Sequence, residues 1–218
     1  MSGWDLGNNG DSSDKKKVEF AKFPVGITRI RILDEEPLTR WTHWLPKFQR
    51  SLNCPGRGCP ICEIRKNQKA NKEQYSWAMA KRVAINIYNY ETKRVEVMEQ
   101  GVTFFEDLRD VMKDLTEDGK NLRDVILKVR RRGEGKDDTS YRIDVDKHEP
   151  LTAEEITSMG ESLTDLTDFF KPNTNEQILR IVNGEDWNDV MIPEAKEEAA
   201  PENTATTPSD SDEEFEVQ

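Results

Sequence analysis

The rhythm of apolar and polar positions changes several times along the chain, and the changes mark out its elements. Between Phe20 and Leu33 the order alternates, with Ile27, Arg29, Arg31 and Leu33 on one side and Thr28, Ile30 and Ile32 on the other. That period of two predicts a half-buried strand. Leu38 to Leu45 reads as a second strand. Lys81 to Tyr90 alternates most cleanly: Val83, Ile85 and Ile87 point one way while Arg82, Asn86, Tyr88 and Tyr90 point the other. Glu91, Thr92 and Lys93 then turn the chain into Arg94–Glu99, which predicts a hairpin. A second hairpin is expected from Val125–Arg131 and Tyr141–Val145 around the polar loop Gly133–Asp138. Helical spacing places Phe104, Phe105, Leu108, Val111, Met112 and Leu115 on one face of a core-packing helix over Val102–Leu115. Cys62 to about Trp77 favours a helix whose outer face carries Arg65, Lys66, Lys69 and Lys72. Thr152–Phe170 and Asn175–Val182 read as short helices, the first with Thr152 and Glu155 in capping-box relation.

Rhythm is missing at both ends. Met1 to Asp14 is rich in Gly, Asn, Ser and Asp and leads into Lys15, Lys16 and Lys17, so residues 1–20 are expected to form a flexible basic arm. After Pro193, Ala, Glu, Pro, Thr and Ser dominate, which predicts a disordered acidic tail over 194–218. The residues between, 21–193, suit one core domain of ordinary size. Four or five short strands in hairpins with an intervening helix predict a mainly β (α+β) fold, and a small Greek-key barrel of the OB type fits that list. An α+β sandwich would give a similar list.

Composition sharpens the division. Hydrophobic and charged residues each make up 34% of the 218 residues, a balance that leaves part of the chain unpacked. No run approaches the roughly 20 apolar residues that cross a bilayer, and the N-terminus lacks the basic-then-apolar order of a signal peptide. A cytoplasmic protein is expected. The net charge of -11 would argue against a polyanionic partner if it were evenly spread. It is concentrated: residues 194–218 hold nine acids against Lys196 alone, while Arg40 to Arg82 holds ten bases against Glu63 and Glu73. A local field of +8 beside a detachable acidic segment is the footprint of a polyanion binder.

The three cysteines lie within nine positions, as Cys54-Pro-Gly-Arg-Gly-Cys59-Pro-Ile-Cys62. The odd count does not suit a disulfide framework, and the two-residue spacing of Cys59 and Cys62 aims both thiolates at one ion. Cys54 supplies a third ligand. Tetrahedral zinc needs a fourth, and the chain has only His43 and His148. His43, at the end of a predicted strand eleven residues before Cys54, is within reach of a folded-back loop, whereas His148 lies in another region. One structural zinc on His43, Cys54, Cys59 and Cys62 is therefore expected, within a subdomain of about residues 41–80. A nucleobase deaminase would need a His-x-Glu element and a Pro-Cys-x-x-Cys element. Trp44 and Leu45 follow His43, and Gly58 precedes Cys59, so both fail. No nucleophile elbow, phosphate loop or His-Glu-x-x-His is present, and no enzymatic activity is expected.

Around the cysteines, bases and aromatics interleave. Arg40, Trp41, Trp44, Lys47, Phe48 and Arg50 precede them, and Tyr75, Trp77, Lys81, Arg82, Tyr88 and Tyr90 follow. Cations that track phosphates beside rings that stack unpaired bases are the chemistry of single-strand binding. Trp41 and Trp77 suit a core or a groove equally. Tyr88 and Tyr90 favour the groove, since they share a strand face with Arg82 and Asn86.

Lys22-Phe23-Pro24 opening a strand, His43 followed by Cys54, Cys59 and Cys62, the surrounding aromatics and bases, and the tail Asp210-Ser211-Asp212-Glu213-Glu214-Phe215 together resemble the gene 32 type single-stranded DNA-binding proteins of T-even bacteriophages. The resemblance implies a zinc-bearing OB core that coats single-stranded DNA during phage replication, recombination and repair in the host cytoplasm. It implies DNA contacts from Arg29, Arg31, Arg40, Trp41, Trp44, Lys47, Arg50, Arg57, Lys66, Lys69, Tyr75, Trp77, Lys81, Arg82, Tyr88 and Tyr90. It further implies homotypic contacts along DNA and recruitment of replication and recombination proteins through Asp212, Glu213, Glu214 and Phe215. The chain is short for that family, its cysteine spacing is compact, and Ser12 to Lys17 matches the family's basic arm only loosely. A zinc-bearing protein-interaction adaptor with weak nucleic-acid contact is the alternative from another class.

Overall fold

The predicted alternation becomes sheet. The computed structural model describes residues 18–135 and 138–191; most of the expected arm and all of the expected tail, including Asp212, Glu213, Glu214 and Phe215, lie outside the described residues. Seven strands pair antiparallel: β1 (Gly26–Ile32), β2 (Leu38–Leu45), β3 (Arg50–Asn53), β4 (Ala78–Asn89), β5 (Arg94–Gly101), β6 (Val125–Arg132) and β7 (Ser140–His148). Their order is β3-β2-β4-β1-β6-β7, with β5 also on β4. The twelve-residue β4 is the spine of the sheet. Along one edge Ala78–Ala84 pairs with β2 and Ile87–Asn89 with β1, while β5 lines the opposite edge from Arg82 to Asn89. The fold is mixed α+β and mainly β.

Burial follows the period of two. Thr28, Ile30 and Ile32 of β1 turn inward, and Ile30 and Ile32 meet Ile85 and Ile87 of β4, Met98 of β5 and Leu127 and Val129 of β6 in the main core. Phe104, Leu108 and Leu115, spaced along one face of α2 (Val102–Glu117), close that core as the helix packs against β4, β5 and β7. A second cluster joins Leu45, Leu52, Cys59 and Ile61 to Ile178 and Ile181 of α5 (Asn175–Val182) and Val190 of α6 (Trp187–Met191). The region around the cysteines therefore draws its packing from residues more than a hundred positions later.

Several boundaries differ from the sequence reading, each for a local reason. The helix expected from Cys62 to Trp77 is α1, Pro60–Ala70. Pro60 sits at its first position, where a missing N–H leaves nothing unpaired, and the chain leaves the helix before Lys72, whose φ is 59°. Tyr75 and Trp77 consequently lie in the approach to β4. Thr152–Phe170 divides into α3 (Ala153–Gly160) and α4 (Leu166–Phe169). The Thr152 and Glu155 capping box is present, and Asp165 caps α4 by accepting from the Thr167 and Asp168 backbone N–H groups.

The outer face of β4 also departs from expectation. Asn86 is buried, at 2% exposure, rather than open beside Tyr88. Its amide donates to both Asp34 carboxylate oxygens and to the Thr164 carbonyl, and its carbonyl oxygen accepts from the Thr164 N–H at 3.1 Å. One amide thus ties the β1–β2 connection and the α3–α4 connection to the middle of β4. Leu166 and Phe170 complete the cover over Ala84 and Val97.

Candidate metal centre and nucleic-acid interface

The four expected ligands converge. The β2–β3 hairpin holds His43 fully buried in the sheet, and Cys54 follows the end of β3. The chain then needs tight backbone curvature, which Gly56 at φ 81° and Gly58 at φ 77° supply, since a Cβ is disfavoured there. Gly58 also lets α5 approach, because an added Cβ would lie 3.1 Å from the Asn175 side-chain nitrogen. Cys59 sits at the N-cap of α1 and Cys62 in its first turn. His43 Nε2 lies 3.3 Å from Cys59 Sγ and 3.6 Å from Cys62 Sγ, and Cys54 Sγ lies 3.6 Å from Cys62 Sγ. All four ligand atoms fall within 4.8 Å of one another. The set could hold one metal ion. His148, at the end of β7, is not part of it.

The electrostatics suit a cation. Burial, with Arg65 nearby, pushes the His43 pKa down and favours the neutral imidazole that binds metals. Burial raises the Cys54 thiol, and burial together with the neighbouring Cys54 and Cys59 sulfurs pushes Cys62 up to about 12. The Cys54 and Cys62 thiols therefore resist ionisation unless a positive ion compensates them. The Gly56 N–H donates to Cys54 Sγ at 3.3 Å, a backbone bond that favours the thiolate. His43 Nδ1 is buried without a hydrogen-bond partner among the described residues.

The candidate nucleic-acid residues do not form one surface. In an antiparallel pair, opposed residues share a face. Trp41 opposes Lys81 and His43 opposes Met79, whereas Arg40 opposes Arg82 on the other side of the sheet. Beyond the cover of α1, the first face leaves Trp41 46% and Met79 39% exposed beside the exposed Lys81. Tyr75, 45% exposed, stacks under the Arg65 guanidinium at 4.0 Å. Trp77 packs instead against the second core cluster. Arg57, Lys66, Lys69 and Lys47 are exposed, with Lys66 3.9 Å from Glu63 and Lys47 over the Phe48 ring.

On the opposite face the candidates are more engaged. Arg40 pairs with Glu99 at 2.9 Å and lies over the Phe170 ring, and Arg82 shares Glu99 at 3.9 Å. Trp44 is half-buried here, whereas Arg50, opposed to Leu45, belongs to the Trp41 face and lies over Trp187. Farther along, the Tyr88 and Tyr90 rings meet edge to face, 5.0 Å apart. Arg31, only 3% exposed, is inside rather than open: its guanidinium donates to the Tyr90 hydroxyl and the Arg123 carbonyl, so it positions the tyrosine. Arg29 is exposed but paired with Asp146 at 2.7 Å. The sequence missed Arg65, Phe170 and Trp187 as partners of these groups. Arg65, on the basic face expected of the helix that precedes Tyr75, carried the only such signal.

Among the described residues, no helix is long and apolar enough to cross a membrane. No protein-family model matches the chain, and a search of curated proteins finds no match.

Proposed function

We propose that the chain is a non-enzymatic single-stranded DNA-binding protein built on an OB-type barrel with one structural zinc. The observation that carries this reading is the exposed ledge of Trp41, Met79 and Lys81, flanked by Tyr75 and Arg65 and set on the unit that holds the four metal ligands. Exposed rings beside cations on a rigid support are what sequence-tolerant stacking requires. The strand order supports the barrel. Taken in chain order, β1, β4, β5, β6 and β7 lie as β5-β4-β1-β6-β7, with α2 between β5 and β6 and packed on both β5 and β7. That order suits a five-stranded, partly open Greek-key barrel, in which the metal unit would lengthen the connection between the first two strands, a region such folds use for oligonucleotides.

Zinc is favoured by the donor set. With thiolate bonds of about 2.3 Å and an imidazole bond of about 2.0 Å, a tetrahedral zinc keeps its ligand atoms about 3.5–3.8 Å apart. The separations of 3.3 and 3.6 Å between His43 Nε2 and the Cys59 and Cys62 sulfurs are close to that. When bound, the ion would cross-link the β2–β3 hairpin to α1. In the same reading, the acidic tail with Asp212, Glu213, Glu214 and Phe215 recruits replication and recombination proteins.

Titration with oligo(dT) tests the proposal, because bases stacking on Trp41 quench tryptophan fluorescence. Strong quenching by single strands and weak response to duplex DNA are expected. An unchanged emission together with no shift in electrophoretic mobility would refute the reading and favour the adaptor.

A further inference from the structure

A cleft of about 900 Å³ opens between the tip of the β4–β5 hairpin and α3, on the sheet face away from the Trp41 ledge. Its walls differ in charge. The hairpin side presents the Tyr88 ring, Val95, the cation Lys93 and Arg94, which is already paired with Glu19 at 2.8 Å, while the helix side presents Glu154 and Glu155 with Met159. From Glu149 to Glu161 the chain carries four glutamates and no lysine or arginine. Hydrogen bonds from Thr152, and more weakly the charge of Arg31, hold the Glu155 carboxyl below its usual range.

The helix is also poorly anchored. No residue of α3 is buried, and Ile156 remains 46% exposed. Its shape comes from its capping box, not from the sheet beneath. An element that buries no apolar surface loses little when it moves, and such elements open first. We propose that this cleft is a second subsite for single-stranded nucleic acid and that α3 is its acidic lid, standing in for phosphates until a strand displaces it. The inference rests on the single-strand reading above. A strand satisfies the same wall better than the lid does, because it brings a phosphate to Lys93 and a base face to Tyr88. Apolar Val95 and Leu163, lining the same space, suit a base edge and would not hold a bare anion.

Charge reversal in the full chain tests the lid. Glu154→Lys leaves the Thr152–Glu155 box intact and should tighten oligo(dT) binding at least threefold at low salt, measured by fluorescence anisotropy, with the gain fading at high salt. Glu106→Lys on α2 makes the same change of net charge away from the cleft and should give less than half that gain. In a Lys93→Gln background the Glu154→Lys gain should shrink, since the cation that the lid masks is gone. Equal gains from both reversals, or a gain indifferent to Lys93, would overturn the lid while leaving the binding reading intact. Absence of oligo(dT) binding by every variant and by the parent chain would overturn both.

Discussion

Cys59→Ser is the sharpest perturbation of the metal unit. Cys59 is 1% exposed, begins α1 and belongs to the same buried cluster as Leu45, Leu52 and Ile61. Structural zinc contributes about 10–16 kcal/mol of apparent binding energy in small zinc domains. Divided evenly over four ligands, one thiolate accounts for roughly 2.5–4 kcal/mol, or about two to three orders of magnitude in affinity. A serine hydroxyl does not ionise to replace it. Chelator competition followed by elemental analysis should therefore find one zinc per parent chain and a loss of affinity of at least one hundredfold in the variant. His148→Ala, on the distant end of β7, should retain full affinity. Tryptophan emission should change when zinc is removed, because Trp77 packs against the cluster that Cys59 helps to close. A parent chain purified without chelator that carries no metal, or a Cys59→Ser chain that binds zinc as tightly, would refute the reasoning.

Trp41→Ala should weaken oligo(dT) binding by about 1–3 kcal/mol with little change of salt dependence, as expected for lost stacking. Lys81→Ala, beside it, should instead flatten the plot of log affinity against log salt by about 0.7; anisotropy titrations across a salt series separate the two. Deleting residues 194–218 should raise affinity for single strands most at low ionic strength, because a tethered segment with nine acids competes for the basic ledge; an unchanged affinity there removes that competition. Asn86→Ala should cost about 2–3 kcal/mol, as a thermal melt would show, by stranding Asp34 and Thr164. Burial already raises the Asp34 pKa, and loss of the amide raises it further, so the penalty is full above that raised pKa and fades as pH falls toward the usual carboxylate value.

Strands and ligands were legible because their signals are local. The alternation of Leu38–Leu45 fixes β2 residue for residue, and the Cys-x-x-Cys turn needs no distant partner to be recognised. Placement of His43 with the cysteines followed from ligand arithmetic and proved geometrically sound. Faces were harder to read. The alternation of β4 separates Tyr88 from Ile87 correctly, but it cannot say that Leu166 and Phe170 will cover the polar side and bury Asn86. Nor does periodicity reveal that Trp41 and Tyr88 lie on opposite faces, since that depends on the register of β2 against β4. The packing of Ile178 and Val190 beneath the metal unit was equally invisible, because nothing in an amphipathic helix names the surface it will cover.

The sharing of β4 between two neighbourhoods grades how the sheet comes apart. Residues Ala78–Lys81 are paired only with β2, whereas Arg82–Asn89 is paired with β5 as well. Fraying that starts at the metal unit therefore meets a reinforced ribbon after four residues. Hydrogen exchange should record this as a step within a single strand, with amides before Arg82 exchanging through a local opening and those of Ile85 and Ile87 only through global unfolding. Loss of the metal would lower the first barrier and leave the second almost unchanged, so a chain stripped of its ion should keep the β4–β5 pairing while losing the order that Trp41 and Lys81 need.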